Sequence, residues 1–153
     1  MKYLITFLIS MVPVIELRGA IPYGVAAGLE PWLVAPLAII GNLIPVPFIL
    51  LFIRKIFQWM KKYEKLGKIA YKLEERAANK NGKVKKSEFI GLLLFVAIPL
   101  PGTGAWTGAL IAALMDMRMK RALPTIALGV LLAGIAVSLV AALGIEALSF
   151  LLG

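Results

Sequence analysis

Glu16 and Arg18 are two charged side chains that lie deep inside the first apolar region of the chain. A charge within the membrane costs a few kcal/mol or more unless it is paired or hydrated, so it marks a candidate functional site. The guanidinium of Arg18 offers a planar fork of donors that matches a phosphate or a carboxylate. We predict that Arg18 binds an anionic substrate and that Glu16 orients Arg18 or exchanges a proton. Alternatively, the two form a buried ion pair that only fixes local structure, or Arg18 snorkels to the interface.

The backbone around residue 16 has to be irregular if these two side chains are to meet. Residues two positions apart do not face each other on a regular helix. Gly19 and Pro22 are predicted to break the helix there, and both are included in the candidate site.

Residues 99–104 form a second candidate, in which the chemistry comes from the backbone. The stretch PLPGTG lies between apolar runs, and its amides cannot all be satisfied within a helix. The helix that follows would point its N-terminus at an anion. The predicted substrate-binding residues here are Pro99, Pro101, Gly102, Thr103, Gly104 and Trp106. Capping of the helix by Thr103 alone is the alternative.

Asn42 interrupts the next apolar run, together with Pro45 and Pro47. An amide in an apolar helix needs hydrogen-bond partners, so Asn42 is predicted to bind substrate or the tip of a helical hairpin. Hydrogen bonding that only holds helices together is the alternative.

The composition predicts a membrane protein. Hydrophobic residues make up 61% of the 153 residues, against roughly 45–50% in soluble domains. The formal charge of +9 has no accompanying nucleic-acid-binding pattern. With no Cys and no His, we expect no zinc or thiol site and no cofactor. No P-loop or hydrolase motif is present, so we predict a protein that is not an enzyme.

The basic residues predict the topology. Of the 17 Lys and Arg residues, 12 lie between Arg54 and Lys86, and Arg118, Lys120 and Arg121 follow in a short turn. By the positive-inside rule, segments 54–88 and 117–121 are cytoplasmic in a multi-pass protein of the plasma membrane.

The segment lengths predict an all-α fold with an inverted repeat, forming a single membrane domain over residues 1–153. Residues 1–30 and 89–117 are too short to cross twice at the roughly 20 residues per span that a bilayer requires, so each is predicted to be a re-entrant hairpin. Residues 31–53 and 122–152 are predicted transmembrane helices, and an amphipathic helix occupies much of segment 54–88. Half-depth hairpins need protein cover, which favours a homodimer. Ordinary kinked spans are the alternative to re-entrant hairpins.

The stretches ELRGAIP at 16–22 and AIPLPGTGAWTG at 97–108 resemble the two signature stretches of the small multidrug export family. That family is similar to the DedA superfamily, whose members have two opposed re-entrant hairpins, and several are implicated in moving phospholipids or polyprenyl phosphate carriers. The resemblance maps the superfamily's acidic residue to Glu16, its Arg to Arg18 and its Pro/Gly motif to residues 99–104. Further acidic and Arg positions of many DedA proteins have no counterpart, since Arg118 lies beyond the second hairpin.

These observations predict a transporter that translocates a lipid phosphate or another amphipathic anion with proton coupling at the membrane midplane. Membrane lipids are its expected partners, and no nucleic acid is expected. A proton-coupled exporter of hydrophobic cationic drugs is the first alternative. A membrane scaffold or assembly factor that does not transport is the second.

Overall fold

The computed structural model of the protein describes residues 1–64, 67–69, 71–72, 82–100 and 102–152, with side chains except those of 82–86 and 145–152. All regular structure in this part of the chain is helical. The helices are α1 (Lys2–Met11), α2 (Glu16–Ala26), α3 (Pro31–Leu43), α4 (Pro45–Met60), α5 (Gly82–Ala97), α6 (Ala105–Leu114) and α7 (Met119–Leu152). The all-α prediction is confirmed for these residues. Pro101, one of the predicted site residues, lies outside them.

Helices α3 and α4 form one long apolar segment that is interrupted at Ile44. Pro45 has no amide N–H to continue the hydrogen-bond ladder, so α3 and α4 are separated there although Ile44 keeps a helical backbone conformation. Helix α4 continues to Met60, beyond the predicted end at residue 53. The first residues assigned to the amphipathic helix therefore belong to α4, and a turn follows at residues 61–63. The amphipathic helix is predicted over residues 55–78, and residues 65–66, 70 and 73–78 of it lie outside the described residues.

Among the described residues, two segments are long and apolar enough to cross a membrane, Pro31–Met60 and Met119–Gly144. Only 33% and 28% of their most apolar windows are buried by the rest of the protein. The core helix of a soluble protein would be mostly buried. Large apolar side chains instead cover the outer surface of both segments, including Trp32, Phe48, Phe52, Leu139 and Val140. An exposed apolar surface of this extent is the surface that lipid tails solvate.

The shorter helices form two pairs, each interrupted by a break. Residues 12–15 separate α1 from α2, and residues 98–104 separate α5 from α6. Helix α2 packs against α3 and α7, and α5 packs along α7, which brings the two breaks together inside the bundle. Leu17, Val96 and Val130 are buried between them. The re-entrant depth of these pairs and the inverted repeat stay predictions.

Close helix packing at this centre depends on small residues. A Cβ atom added at Gly129 of α7 would lie 2.7 Å from the Val96 Cβ and 3.2 Å from the carbonyl oxygen of Leu93, both on α5. Small residues allow backbones to approach closely in membranes, where packing replaces the hydrophobic effect as the force between helices.

We expect Gly129→Ala to lower the free energy of unfolding by about 1–3 kcal/mol, because α5 and α7 must separate to admit the methyl group. Thermal unfolding in detergent measures the change. The matched control is Gly91→Ala, since a Cβ at Gly91 meets no atom within 4 Å. Equal stability of the two variants would show that α5 and α7 are not packed as described.

Candidate functional site

The first break lies before Gly19 and Pro22, the residues predicted to break the helix. Residues 12–15 form the turn, and Glu16 is the first residue of α2. Val14 and Glu16 adopt left-handed backbone conformations, with φ of 77° and 51°, which is unusual for any side chain and most of all for a β-branched one. The prediction that Gly19 and Pro22 form the break is wrong, because both lie inside α2. Because the chain already turns at residues 12–15, α2 continues through both residues.

The carboxylate of Glu16 lies at the N-terminus of α6. Its Oε1 accepts a hydrogen bond of 3.0 Å from the backbone N–H of Trp106 in the first turn of that helix. Glu16 is 3% exposed. The partial positive charge of a helix N-terminus stabilises an anion at this position. The helix that was predicted to receive a substrate anion therefore holds a carboxylate of the protein itself.

Gly104 makes this contact possible. It is the N-cap residue of α6 and has a φ of 147°. A Cβ atom at Gly104 would overlap the Oε2 atom of Glu16 and lie 2.7 Å from its Cδ. Both the backbone conformation and the space require glycine.

Arg18 reaches the other side of the second break. Its Nη2 donates to the carbonyl oxygen of Ile98 at 3.0 Å and, more weakly, to that of Val96 at 3.4 Å. These carbonyls lie at the C-terminal end of α5, where a cation is favoured. Arg18 Nη1 also lies 3.9 Å from Glu16 Oε2. The Nε atom is buried and has no partner among the described residues.

The indole of Trp106, on the second pair of helices, forms a hydrogen bond to the first pair. Its Nε1 donates to the carbonyl oxygen of Met11, the last residue of α1, at 3.2 Å. Each break thus supplies hydrogen-bonding groups for helix ends at the other break, which would otherwise be left unsatisfied in an apolar interior.

Thr103 stabilises its own loop. Its hydroxyl lies 2.8 Å from the carbonyl oxygen of Ile98 and 2.9 Å from that of Leu100, and donates to these acceptors. The alternative that Thr103 caps α6 is wrong, since the N-cap residue is Gly104 and the side chain bonded to the first turn is that of Glu16.

Asn42 lies beside this charged pair, near the end of α3. It is 1% exposed, and neither its Oδ1 nor its Nδ2 has a hydrogen-bond partner in the described part of the chain. A buried amide without partners costs roughly 1–3 kcal/mol. Interhelical hydrogen bonding, the alternative role predicted for Asn42, is not observed among these residues.

A narrow recess joins Asn42 to the two breaks. It is too tight at every point for a water-sized sphere, so a ligand would enter only if the breaks moved apart. The lining residues are Glu16, Leu17, Arg18, Asn42, Val96, Gly104, Ala105, Val130 and Ala133.

The structure brings together four predicted site residues on this recess, Glu16, Arg18, Asn42 and Gly104. Trp106 contacts it through the hydrogen bond to Glu16, whereas Thr103 bonds to Ile98 and Leu100, which do not line it. The remaining described candidates do not line it, namely Gly19, Pro22, Pro99 and Gly102. Sequence reasoning missed Val130 and Ala133 of α7, which carry no polar group that would distinguish them from other lipid-facing or core positions.

The site combines one carboxylate, one guanidinium, a helix N-terminus and an amide with unused hydrogen-bonding capacity. Within the described ranges, no group of three potential metal-ligating side chains is found. These groups suit the binding of an anion and the movement of a proton.

The chain matches a known protein family over most of its length. The family model described as "Putative small multi-drug export protein" matches residues 16–136, which begin at Glu16, directly after the first break, and include the second break. The chain belongs to this family. Its family and its two long apolar helices identify it as a membrane protein, and the family's description associates it with export across membranes. No curated protein and no solved structure matched the chain.

We expect Asn42→Leu to raise the free energy of unfolding by about 1–3 kcal/mol, because a side chain of similar size replaces two buried polar atoms without partners. Thermal unfolding in detergent tests this. Thr125→Val is the control, since Thr125 is equally buried but its hydroxyl donates to the carbonyl of Arg121. A loss of stability in Asn42→Leu that matches the control would mean that the amide has partners.

Proposed function

We propose that this protein transports an amphipathic anion of the lipid-phosphate class across the membrane, coupled to protons through Glu16. The observation that supports this best is the carboxylate of Glu16 on the first turn of α6, with Arg18 beside it. A site that stabilises a buried carboxylate supplies the groups that a phosphate oxygen also needs.

The proposed cycle is an exchange of anions at the N-terminus of α6. When Glu16 takes up a proton, its carboxyl group loses its charge and its attraction to the helix end and to Arg18. The phosphate of the substrate then replaces the carboxylate on the N–H of Trp106. It also accepts a hydrogen bond from the Nε of Arg18, which was unused before. Asn42 supplies an amide to the head group, and the apolar tail stays in lipid. Release of the proton returns Glu16 to the helix and expels the phosphate.

The narrowness of the recess supports a cycle in which the protein changes conformation. It has no room for a ligand as described, so the phosphate has to separate the breaks as it binds. The hydrogen bonds from Arg18 to Ile98 and from Trp106 to Met11 are the contacts that would break and re-form.

Export of hydrophobic cations is the second candidate, and the description of the family favours it. In that mechanism Glu16 binds a drug and a proton in turn. The surroundings of Glu16 weigh against it, because Arg18 and a helix N-terminus both repel a cation. A scaffold that does not transport is the third possibility, and no feature of the site requires it.

Several expectations belong to the same proposal. They are a homodimer in the plasma membrane, segments 54–88 and 117–121 in the cytoplasm, and DedA-like re-entrant hairpins that meet at the midplane. The meeting of the two breaks inside the bundle supports the last of these.

Reconstitution into vesicles tests the function. We expect the protein to move a fluorescent lipid phosphate between leaflets faster than protein-free vesicles do, with a rate that depends on the pH gradient. Arg18→Lys keeps the charge but loses the fork, so the apparent affinity should fall by roughly tenfold or more, as expected for a lost charge-assisted hydrogen bond of about 1.5–3 kcal/mol.

Arg121→Lys is the matched control, because Arg121 is exposed at the start of α7 and does not line the recess. An equal effect of the two substitutions would contradict the site. Proton release driven by a hydrophobic cation, without movement of lipid phosphate, would support the drug exporter instead. Inactivity in both assays would favour the third function, a membrane scaffold that does not transport.

A further inference from the structure

A second cavity, of about 270 Å³, lies away from the breaks, between the C-terminal part of α4 and the end of α6. Its polar lining comes from Arg54, Gln58, Lys61 and Asp116, and its apolar lining includes Phe57 and Leu114. The volume is slightly below the roughly 300–1,000 Å³ of sites for drug-sized ligands. It is the size of a polar head group.

Arg54 has unused hydrogen-bonding capacity at this cavity. Its Nη2 donates to the carbonyl oxygen of Met117, which holds the guanidinium against the end of α6. Its Nε is buried and has no partner in the described part of the chain. A buried donor without a partner is costly, so a ligand oxygen that reached it would be favoured.

The charges of the lining favour a phosphodiester whose head group also has a hydrogen-bond donor. Arg54 and Lys61 supply two positive charges for a phosphate, while Asp116 supplies a carboxylate that repels a bare anion but accepts a hydrogen bond. Lys61 also lies 5.7 Å from the centre of the Tyr71 ring. An ammonium or a hydroxyl in the head group would match Asp116.

The apolar side of the cavity indicates that the phosphodiester belongs to a lipid. Leu114 is 44% exposed, and Leu110 lies one turn away on the same face of α6 and is 38% exposed. These side chains form an apolar track along which an acyl chain can lie. The basic run that begins at Arg54 and the turn that follows Asp116 are both predicted to be cytoplasmic, which places the cavity at a membrane interface.

We propose that this cavity binds the head group of a glycerophospholipid, with its phosphate on Arg54 and Lys61 and its ammonium or hydroxyl on Asp116. The site is separate from the recess at the breaks, and the proposal does not depend on transport of lipid phosphates.

Native mass spectrometry of the purified full-length protein tests this, with phosphatidylethanolamine, phosphatidylglycerol, phosphatidylcholine or inorganic phosphate added separately. We expect one tightly bound copy of the first two lipids and at least fivefold weaker binding of phosphatidylcholine, whose head group has no N–H or O–H donor. Binding of inorganic phosphate as tight as that of lipid would overturn the assignment to a lipid.

Arg54→Gln should weaken that copy by roughly tenfold or more, whereas Arg121→Gln, with the same change of charge on an exposed residue, should have less than a twofold effect. Because Arg54 also bonds to Met117, Lys61→Gln provides an independent variant, expected to weaken binding several-fold. Asp116→Asn should remove the discrimination against phosphatidylcholine, and Asn tolerates the left-handed conformation of residue 116. Equal losses in the Arg54 and Arg121 variants, or unchanged lipid preference in Asp116→Asn, would overturn the proposal.

Discussion

The hydrogen bond between the Glu16 carboxylate and the first turn of α6 is the contact on which the centre of this protein depends. In a membrane interior, helix ends have no water to satisfy them. Breaking a helix there is tolerated only if other parts of the protein supply donors and acceptors. Glu16 satisfies the start of α6, Arg18 the end of α5, and Trp106 the end of α1. The same groups form the candidate site, so its chemistry follows from the way in which the breaks are stabilised.

The position of Glu16 also limits which ligands are compatible with the site. A buried carboxylate that already has a helix N-terminus and a guanidinium for partners gains little from a cation. An anion, in contrast, competes with it directly for both partners. Strain at Val14 and Glu16, whose backbones are left-handed, is retained because these contacts compensate for it. Backbone strain of this kind is concentrated at sites that change state.

The helix breaks and the charged residues of the site could partly be predicted from the sequence, because they depend on local chemistry. The presence of a break in each of the two regions follows from Pro and Gly in apolar runs, and Glu16 and Arg18 stand out because charges are rare there. The first break was misplaced to Gly19 and Pro22, because tertiary contacts, and not local preference, decide where α2 begins. The capping of α6 by a residue 90 positions away, and the continuation of α4 to Met60, depend on neighbours that no local pattern reveals.

If Glu16 and the substrate anion alternate on the N-terminus of α6, binding of the anion is a proton-uptake reaction. Addition of a lipid phosphate to the detergent-solubilised protein, in a weakly buffered solution with a pH indicator, measures that uptake. The exchange predicts about one proton taken up per bound lipid phosphate in the native protein and none in Glu16→Gln, which still binds the lipid. Proton release on binding, or an uptake that Glu16→Gln leaves unchanged, would contradict it.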